Sequence, residues 1–269
     1  LNEQQARKWW VYGHVYPLYT PAGYMPTWQL LTTGSDYALS LTIRNEATGG
    51  VFMTISSANF SSYGIYQMTM GSYRVIYYTG LILISNNMPN GRYYIRFDCD
   101  ENIWYSDVFT VVNDIQPYLK LEWWDDEDFV MDAGLIAYRN SFKNVLYLAS
   151  DIAKPEYPFE EEGETRDGYF YPIKMISEKR YRFNFLAPEY LLDCLRFVRM
   201  ADHIRVTKLG NVYSLDTFLI TPEWQANGDV AVVAAEFDTA TVAKKIGRGY
   251  LRATRGDFNN DFNNDFNNQ

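Results

Sequence analysis

Histidine and cysteine are scarce in this chain, with two of each in 269 residues. His14 lies among aromatics in "VYGHVYP" and His203 opens a predicted strand, so both read as structural or surface residues. No Gly-x-Ser-x-Gly element occurs, and neither cysteine has a histidine at the spacing of a local catalytic signature. Nucleophilic catalysis therefore has little to work with. Cys99 and Cys194 fall in different predicted domains, too few and too far apart for a disulfide framework, and are read as buried free thiols.

Long apolar runs are also missing. The longest candidate, "YYTGLILIS" (77–85), is strand-sized, so no membrane-spanning helix is expected. Positive charge is in deficit: 24 Lys and Arg against 33 Asp and Glu give a net charge of -9. A phosphate backbone needs clustered cations, so specific nucleic-acid binding is not expected. A phosphate-cradling glycine loop is absent too. "KKIGRGYLRATRG" (244–256) has no strand-to-helix setting and reads as a basic linker.

Metal-site patterns are incomplete. "DCDEN" (98–102) opens like a calcium loop, but Ile103 stands where the glycine belongs and Phe109 where the closing glutamate belongs. The repeat "DFNNDFNNDFNNQ" (257–269) spaces Asp257, Asp261 and Asp265 four apart, yet Asn-rich repeats are poor helix formers. No metal and no cofactor is expected.

Aromatics are abundant: 17% of the chain, including 23 Tyr and 7 Trp. They favour strands, where large side chains pack on a pleated surface, and they also favour interfaces and sugar-binding surfaces. Residues 1–115 read as all-β. "YALSLTIR" (37–44), "GVFMTISS" (50–57), "IYQMTM" (65–70), "YRVIYYTGLILIS" (73–85), "RYYIRFDCD" (92–100) and "ENIWYSDVFTVV" (101–112) are strand patterns, and Asn90-Gly91 is a hairpin-turn signal. Short, regularly spaced strands predict an immunoglobulin-like β-sandwich, although the Cys…Trp…Cys pattern of an antibody domain is absent. "NDIQPYL" (113–119) marks a boundary.

Residues 116–250 are expected to form an antiparallel β domain with one packed helix at 188–202. In "APEYLLDCLRFVRMADH", Leu191, Cys194, Leu195 and Val198 recur at helical spacing, and Pro188 suits the first turn. Hairpins are expected over "LGN" (209–211) and at Asn227-Gly228. "PEYPFEEEGETRDGYFYP" (155–172) reads as a long exposed loop or extended hairpin. Residues 251–269 form a low-complexity tail.

One stretch concentrates the chemistry. "LEWWDDEDF" (121–129) sets Trp123 and Trp124 among Glu122, Asp125, Asp126, Glu127 and Asp128. Tryptophan can raise a carboxyl pKa by desolvation, as a glycosidase requires of its acid. So many acids in so short a span would also repel one another, which favours a solvated face or a cationic partner. Paired catalytic carboxylates, a sugar-binding cleft and a structural joint all remain open. The basic run 244–256 carries charge opposite to this stretch and to "FEEEGE" (159–164). In a head-to-tail ring, such opposed faces steer subunits into register.

The runs "KPEYPFEEEGETRDGYF", "EKRYRFNFLAPEYLLDCLRFVRMAD" and "TFLITPEWQANGDVAVVAAEFDT" carry a resemblance. Residues 118–250 resemble virion proteins of tailed phages and prophages of gut Bacteroidetes. The resemblance implies a non-enzymatic structural role in a tail, neck or baseplate, and a tail-tube-like domain of antiparallel sheets with one helix. It implies assembly in the host bacterial cytoplasm as a ring or other homo-oligomer, together with other virion proteins. The candidate subunit interface is then Trp123, Trp124, Asp125, Asp126 and Asp128, with Glu160, Glu161, Glu162 and Arg166 on the 155–172 segment and Lys244, Lys245 and Arg248 on the basic run. A glycan-binding adhesion module is the rival reading, and a carbohydrate hydrolase the third.

Overall fold

A computed structural model describes residues 18–32, 39–70, 73–80, 88–99, 102–126, 129–131, 134–136, 142–224, 230–239 and 243–246. The chain is mainly β, as its aromatic and β-branched content predicts. Two compact units emerge. The larger takes the described residues of Leu1–Lys154 and Tyr181–Ala240, and the smaller those of Pro155–Arg180 and Thr241–Gln269.

The larger unit contains two main cores. The first belongs to nine strands: β1 (Leu18–Pro21), β2 (Trp28–Thr32), β3 (Leu39–Asn45), β4 (Val51–Ser56), β5 (Ile65–Met70), β6 (Tyr73–Tyr78), β7 (Gly91–Cys99), β8 (Asn102–Tyr105) and β9 (Phe109–Val112). They form one sheet in the order β1-β9-β7-β3-β4, with β8 paired to β7, and a second in the order β2-β6-β5. Among the described residues of these strands, only β1 and β9 run parallel. Alternating residues of both sheets, among them Leu41, Ile43, Ile76, Tyr78, Ile95 and Phe109, meet in one core. The strand run expected before the Asn90-Gly91 hairpin lies partly outside the described residues, at 81–87; among the described strands, β6 lies in one sheet and β7 in the other.

The second core is also shared by two sheets. β10 (Tyr118–Trp124), β13 (Asn144–Ala149), β17 (His203–Lys208) and β18 (Asn211–Leu215) form one, in the order β13-β10-β17-β18. β16 (Arg180–Pro188), β19 (Leu219–Trp224) and β20 (Val230–Asp238) form the other, in the order β16-β20-β19. Leu119, Leu121, Val206, Phe183, Val233 and Phe237 meet between them. A small pair, β11 (Phe129–Met131) and β12 (Gly134–Ile136), follows β10. The expected boundary at 115/116 falls between two cores that share one compact unit.

The helix is shorter than expected. α1 spans Glu189–Leu195, and a 3-10 turn follows at Val198–Met200. Pro188 precedes the first turn in extended conformation. From Phe197 onward the N–H groups bond three residues back, to Cys194, Phe197 and Val198 carbonyls. The tighter winding keeps Val198 fully buried beside Leu191 and Leu195, so packing overrides helix propensity here. Cys194 is a free thiol and is exposed, which corrects its expected burial: Leu192, not Cys194, completes the buried face. Partial desolvation by neighbouring groups, with the Asp193 and Asp107 carboxylates, pushes its thiol pKa up, disfavouring the reactive thiolate. The Cys99 side chain lies outside the described residues.

The smaller unit is a three-stranded sheet in the order β14-β15-β21, from β14 (Phe159–Arg166), β15 (Tyr169–Ser177) and β21 (Ala243–Ile246). The 155–172 segment is thus an extended hairpin. Asp167 and Gly168 turn it with φ of 51° and 81°, the two left-handed residues a tight hairpin turn requires. Leu209-Gly210 does the same between β17 and β18, with φ of 49° and 81°. No helix among the described residues is long and apolar enough to cross a membrane.

Candidate functional site

Strand β10 explains most of "LEWWDDEDF". Its side chains alternate, with Leu119 and Leu121 buried and Trp123 packed on the second core. Lys120, Glu122 and Trp124 take the opposite face. Glu122 is only 8% exposed, and its carboxylate accepts a charge-assisted bond from Lys120 Nζ at 2.8 Å.

Trp124 is the centre of an intrachain joint. Its ring stacks on His203, its cross-strand neighbour, with centroids 5.1 Å apart and planes at 23°. Lys143 Nζ lies over the ring 4.0 Å from its centroid, and the Arg205 guanidinium carbon at 5.0 Å. Cations are attracted to the negative ring face. Trp124 also packs on a third small cluster of Val75, Tyr77 and Phe142, with Met68 beside it. Val75, Tyr77 and Met68 belong to β5 and β6, so Trp124 ties the first core's β2-β6-β5 sheet to β10. The Val145 N–H donates to Thr27 Oγ1 at 3.1 Å across the same joint. Burial holds the Lys143 ammonium pKa below its usual range, with Arg205 adding to the effect. Burial also pushes the Tyr147 and Tyr78 phenols well above theirs.

The aspartates that follow brace the chain. Asp125 is 7% exposed and accepts the Asp202 N–H at 2.8 Å. Asp202 returns the contact, accepting the Asp126 N–H at 3.2 Å. Asp126 in turn meets His203 Nε2 at 2.8 Å. Burial raises the Asp125 carboxyl pKa, and the Asp202 N–H works against it. Acids that would repel on an open face are thus divided between backbone donors and a histidine. Asp128 lies outside the described residues.

Trp123, Trp124, Asp125 and Asp126, expected at a subunit interface, are therefore all engaged within the chain. Lys143, His203, Arg205 and Tyr77 complete the joint, and sequence reasoning did not find them. Their one signal is parity: His203 and Arg205 share the outward face with Trp124 once β17 is known to pair with β10.

The other expected interface residues gather on the smaller unit. Glu160, Glu161 and Glu162 sit on β14, opposite Ile176, Met175 and Lys174 of β15. Lys174 Nζ lies 3.7 Å from Glu162. Arg166 ends β14 opposite Tyr169. The backbones of Lys244 and Lys245 pair with Ile176 and Met175 on β15's other side, so the acidic and basic segments share one sheet. Arg248 lies outside the described residues.

This hairpin also exposes large apolar side chains: Tyr157, Phe159, Tyr169, Phe170, Tyr171 and Ile173. Tyr169 is 70% exposed. Phe170 closes over Gly163, where an added Cβ would come within 2.6 Å of its Cζ. "DCDEN" lies at the β7–β8 hairpin, where Asp98 accepts Arg96 Nε at 2.9 Å.

No family model matches this chain, and no curated protein matches it. Among solved structures, a chain from the crystal structure of Dpr2 Ig1-Ig2 in complex with DIP-Theta Ig1-Ig3 aligns at 7% identity over 85% of this chain and 89% of that one, with a TM-score of 0.17.

Proposed function

We propose that this protein is a non-enzymatic structural component of a phage-type virion, assembling as a symmetric oligomer. One observation carries the proposal: the smaller unit contains an acidic hairpin whose large apolar side chains are exposed. Several large apolar side chains exposed on one hairpin suit an interaction site. The subunit contact accordingly moves from "LEWWDDEDF", which joins sheets within the chain, to this hairpin. The resemblance of residues 118–250 to tail, neck and baseplate proteins supports the virion setting.

The strand order supports an immunoglobulin-like first half. A three-stranded sheet β2-β6-β5 facing β9-β7-β3-β4 is the order in which strands B, E, D face G, F, C, C′ in that fold. The second core, two antiparallel sheets with α1 packed on them, supports a tail-tube-like second half.

The test is the mass of the full chain in solution by light scattering after size exclusion, with negative-stain images of the peak. A closed oligomer or ring supports the proposal. A monomer at every attainable concentration overturns it. The exposed Tyr169 and Tyr171 rings favour one rival, a glycan-binding module, which a glycan array addresses directly.

A further inference from the structure

We propose that the face of β10 opposite the second core carries a binding site for a doubly charged oxyanion, phosphate or sulfate, built on Lys143 and Arg205 over the Trp124 ring. Every residue of the site belongs to the larger unit of one chain, so it does not depend on the oligomeric reading.

Strand register assembles the site. On β10, Lys120, Glu122 and Trp124 alternate onto one face. Glu122 stands opposite Arg205 of β17, and Lys120 stands opposite Tyr147 of β13. Lys143, one residue ahead of β13, brings its Nζ to 4.0 Å from the Trp124 ring centroid. The Arg205 guanidinium carbon lies 5.0 Å from the same centroid.

The charges here do not balance. Lys143 feels Lys120 and Arg205 as like charges and Glu122 as the one opposing charge. Glu122 is already bonded to Lys120 Nζ at 2.8 Å. Neither Lys143 nor Arg205 forms an ion pair with a described residue. Lys120, Lys143, Arg205 and Trp124 are all half-buried, where like charges repel more strongly than in open water. The Trp124 ring face offsets part of that repulsion. It does not satisfy the guanidinium's donors: Arg205 Nε is buried and meets no acceptor. A stranded buried donor is costly, and an oxyanion oxygen removes that cost. A planar guanidinium fork matches the paired oxygens of such a group, and an ammonium adds a point charge. The half-buried Tyr147 phenol, kept protonated by burial and by Glu122, supplies a further donor on this face. Three cations around one carboxylate leave an excess that a dianion neutralises and a monoanion does not, which selects phosphate or sulfate over a carboxylate.

The test is isothermal titration calorimetry of the full chain with inorganic phosphate, sulfate and acetate as separate titrants. Mildly alkaline pH keeps phosphate a dianion, and sodium chloride holds ionic strength constant. Phosphate and sulfate should bind saturably, and acetate at least about tenfold more weakly. Lys143→Met and Arg205→Gln should each weaken phosphate binding by about tenfold or more, with circular dichroism checking the fold. Arg205→Lys keeps the charge and the bulk but loses the fork; it should weaken binding as well, and it serves where truncation disturbs the joint. Arg92→Gln, at an exposed cation of the first core, should leave binding unchanged. Absence of both a saturable heat and a saturable rise in Tm with phosphate overturns the proposal. Wild-type affinity in Lys143→Met and Arg205→Lys also overturns it, by placing the anion elsewhere. Equal affinity for acetate and phosphate overturns the assignment to a dianion.

Discussion

Replacing Trp124 by leucine removes a ring while keeping much of the apolar volume. Lys143, Arg205 and His203 all contact that ring, at 4.0, 5.0 and 5.1 Å from its centroid. A cation over an aromatic face contributes about 0.5–1 kcal/mol when exposed and about 2 kcal/mol when desolvated. A stacked ring pair adds roughly 0.5–1.5 kcal/mol beyond its buried area. Since the site is only partly buried, the expected loss is about 1.5–3 kcal/mol, taking the lower part of these ranges. For a chain of this size that corresponds to a fall in Tm of about 5 °C. The assay is thermal unfolding by circular dichroism, with Trp124→Phe as the companion. Phenylalanine keeps a π face and should recover more than half of the loss. A Tm change of less than about 1 °C for Trp124→Leu would refute the account of Trp124 as the joint between the two cores.

Asp125 offers a prediction in pH. Its folded carboxyl pKa is raised, so in that window the folded state binds a proton the unfolded state has lost. Its contribution to stability is therefore largest below the ordinary aspartate pKa and is lost as pH rises through the raised value. Asp125→Asn should remove this pH dependence and be at least as stable at neutral pH, because an amide oxygen still accepts the Asp202 N–H. Asp125→Ala should cost about 1–3 kcal/mol by stranding that donor, and urea titrations across pH separate the two. Gly163→Ala should cost about 1–3 kcal/mol in the hairpin, since the new methyl meets Phe170 and the Tyr171 carbonyl. Hydrogen exchange should then quicken across 159–177 while Leu121 and Phe183 stay protected; equal protection in the hairpin would count against the account. Lys208, 7% exposed, donates to the Ser150 carbonyl and to Asp151, both at 2.7 Å. Lys208→Met should cost about 1–2 kcal/mol by chemical denaturation, because Asp151 is exposed and rehydrates while the carbonyl loses its donor.

Much of the fold was legible in the sequence. Apolar–polar alternation located β3, β4, β5 and β7 to within a residue or two, because a strand's two faces meet different environments along the chain itself. The Asp167-Gly168 and Leu209-Gly210 turns act through local backbone preference, which sequence carries directly. Local signals misled where packing was decisive. The pattern over 188–202 reads as one helix although Val198 reaches the core only through a tighter turn.

The meaning of "LEWWDDEDF" was beyond the sequence. Composition shows two tryptophans among acids, and that is compatible with a catalytic cleft, a sugar platform or a joint. Pairing β10 with β17 brings His203 and Arg205, some eighty residues away, beside Trp124 and Asp126. Nothing local specifies that register. It follows from burying Leu119, Leu121, Ile204 and Val206 on one face, which turns the tryptophan, the cations and the acids together onto the other.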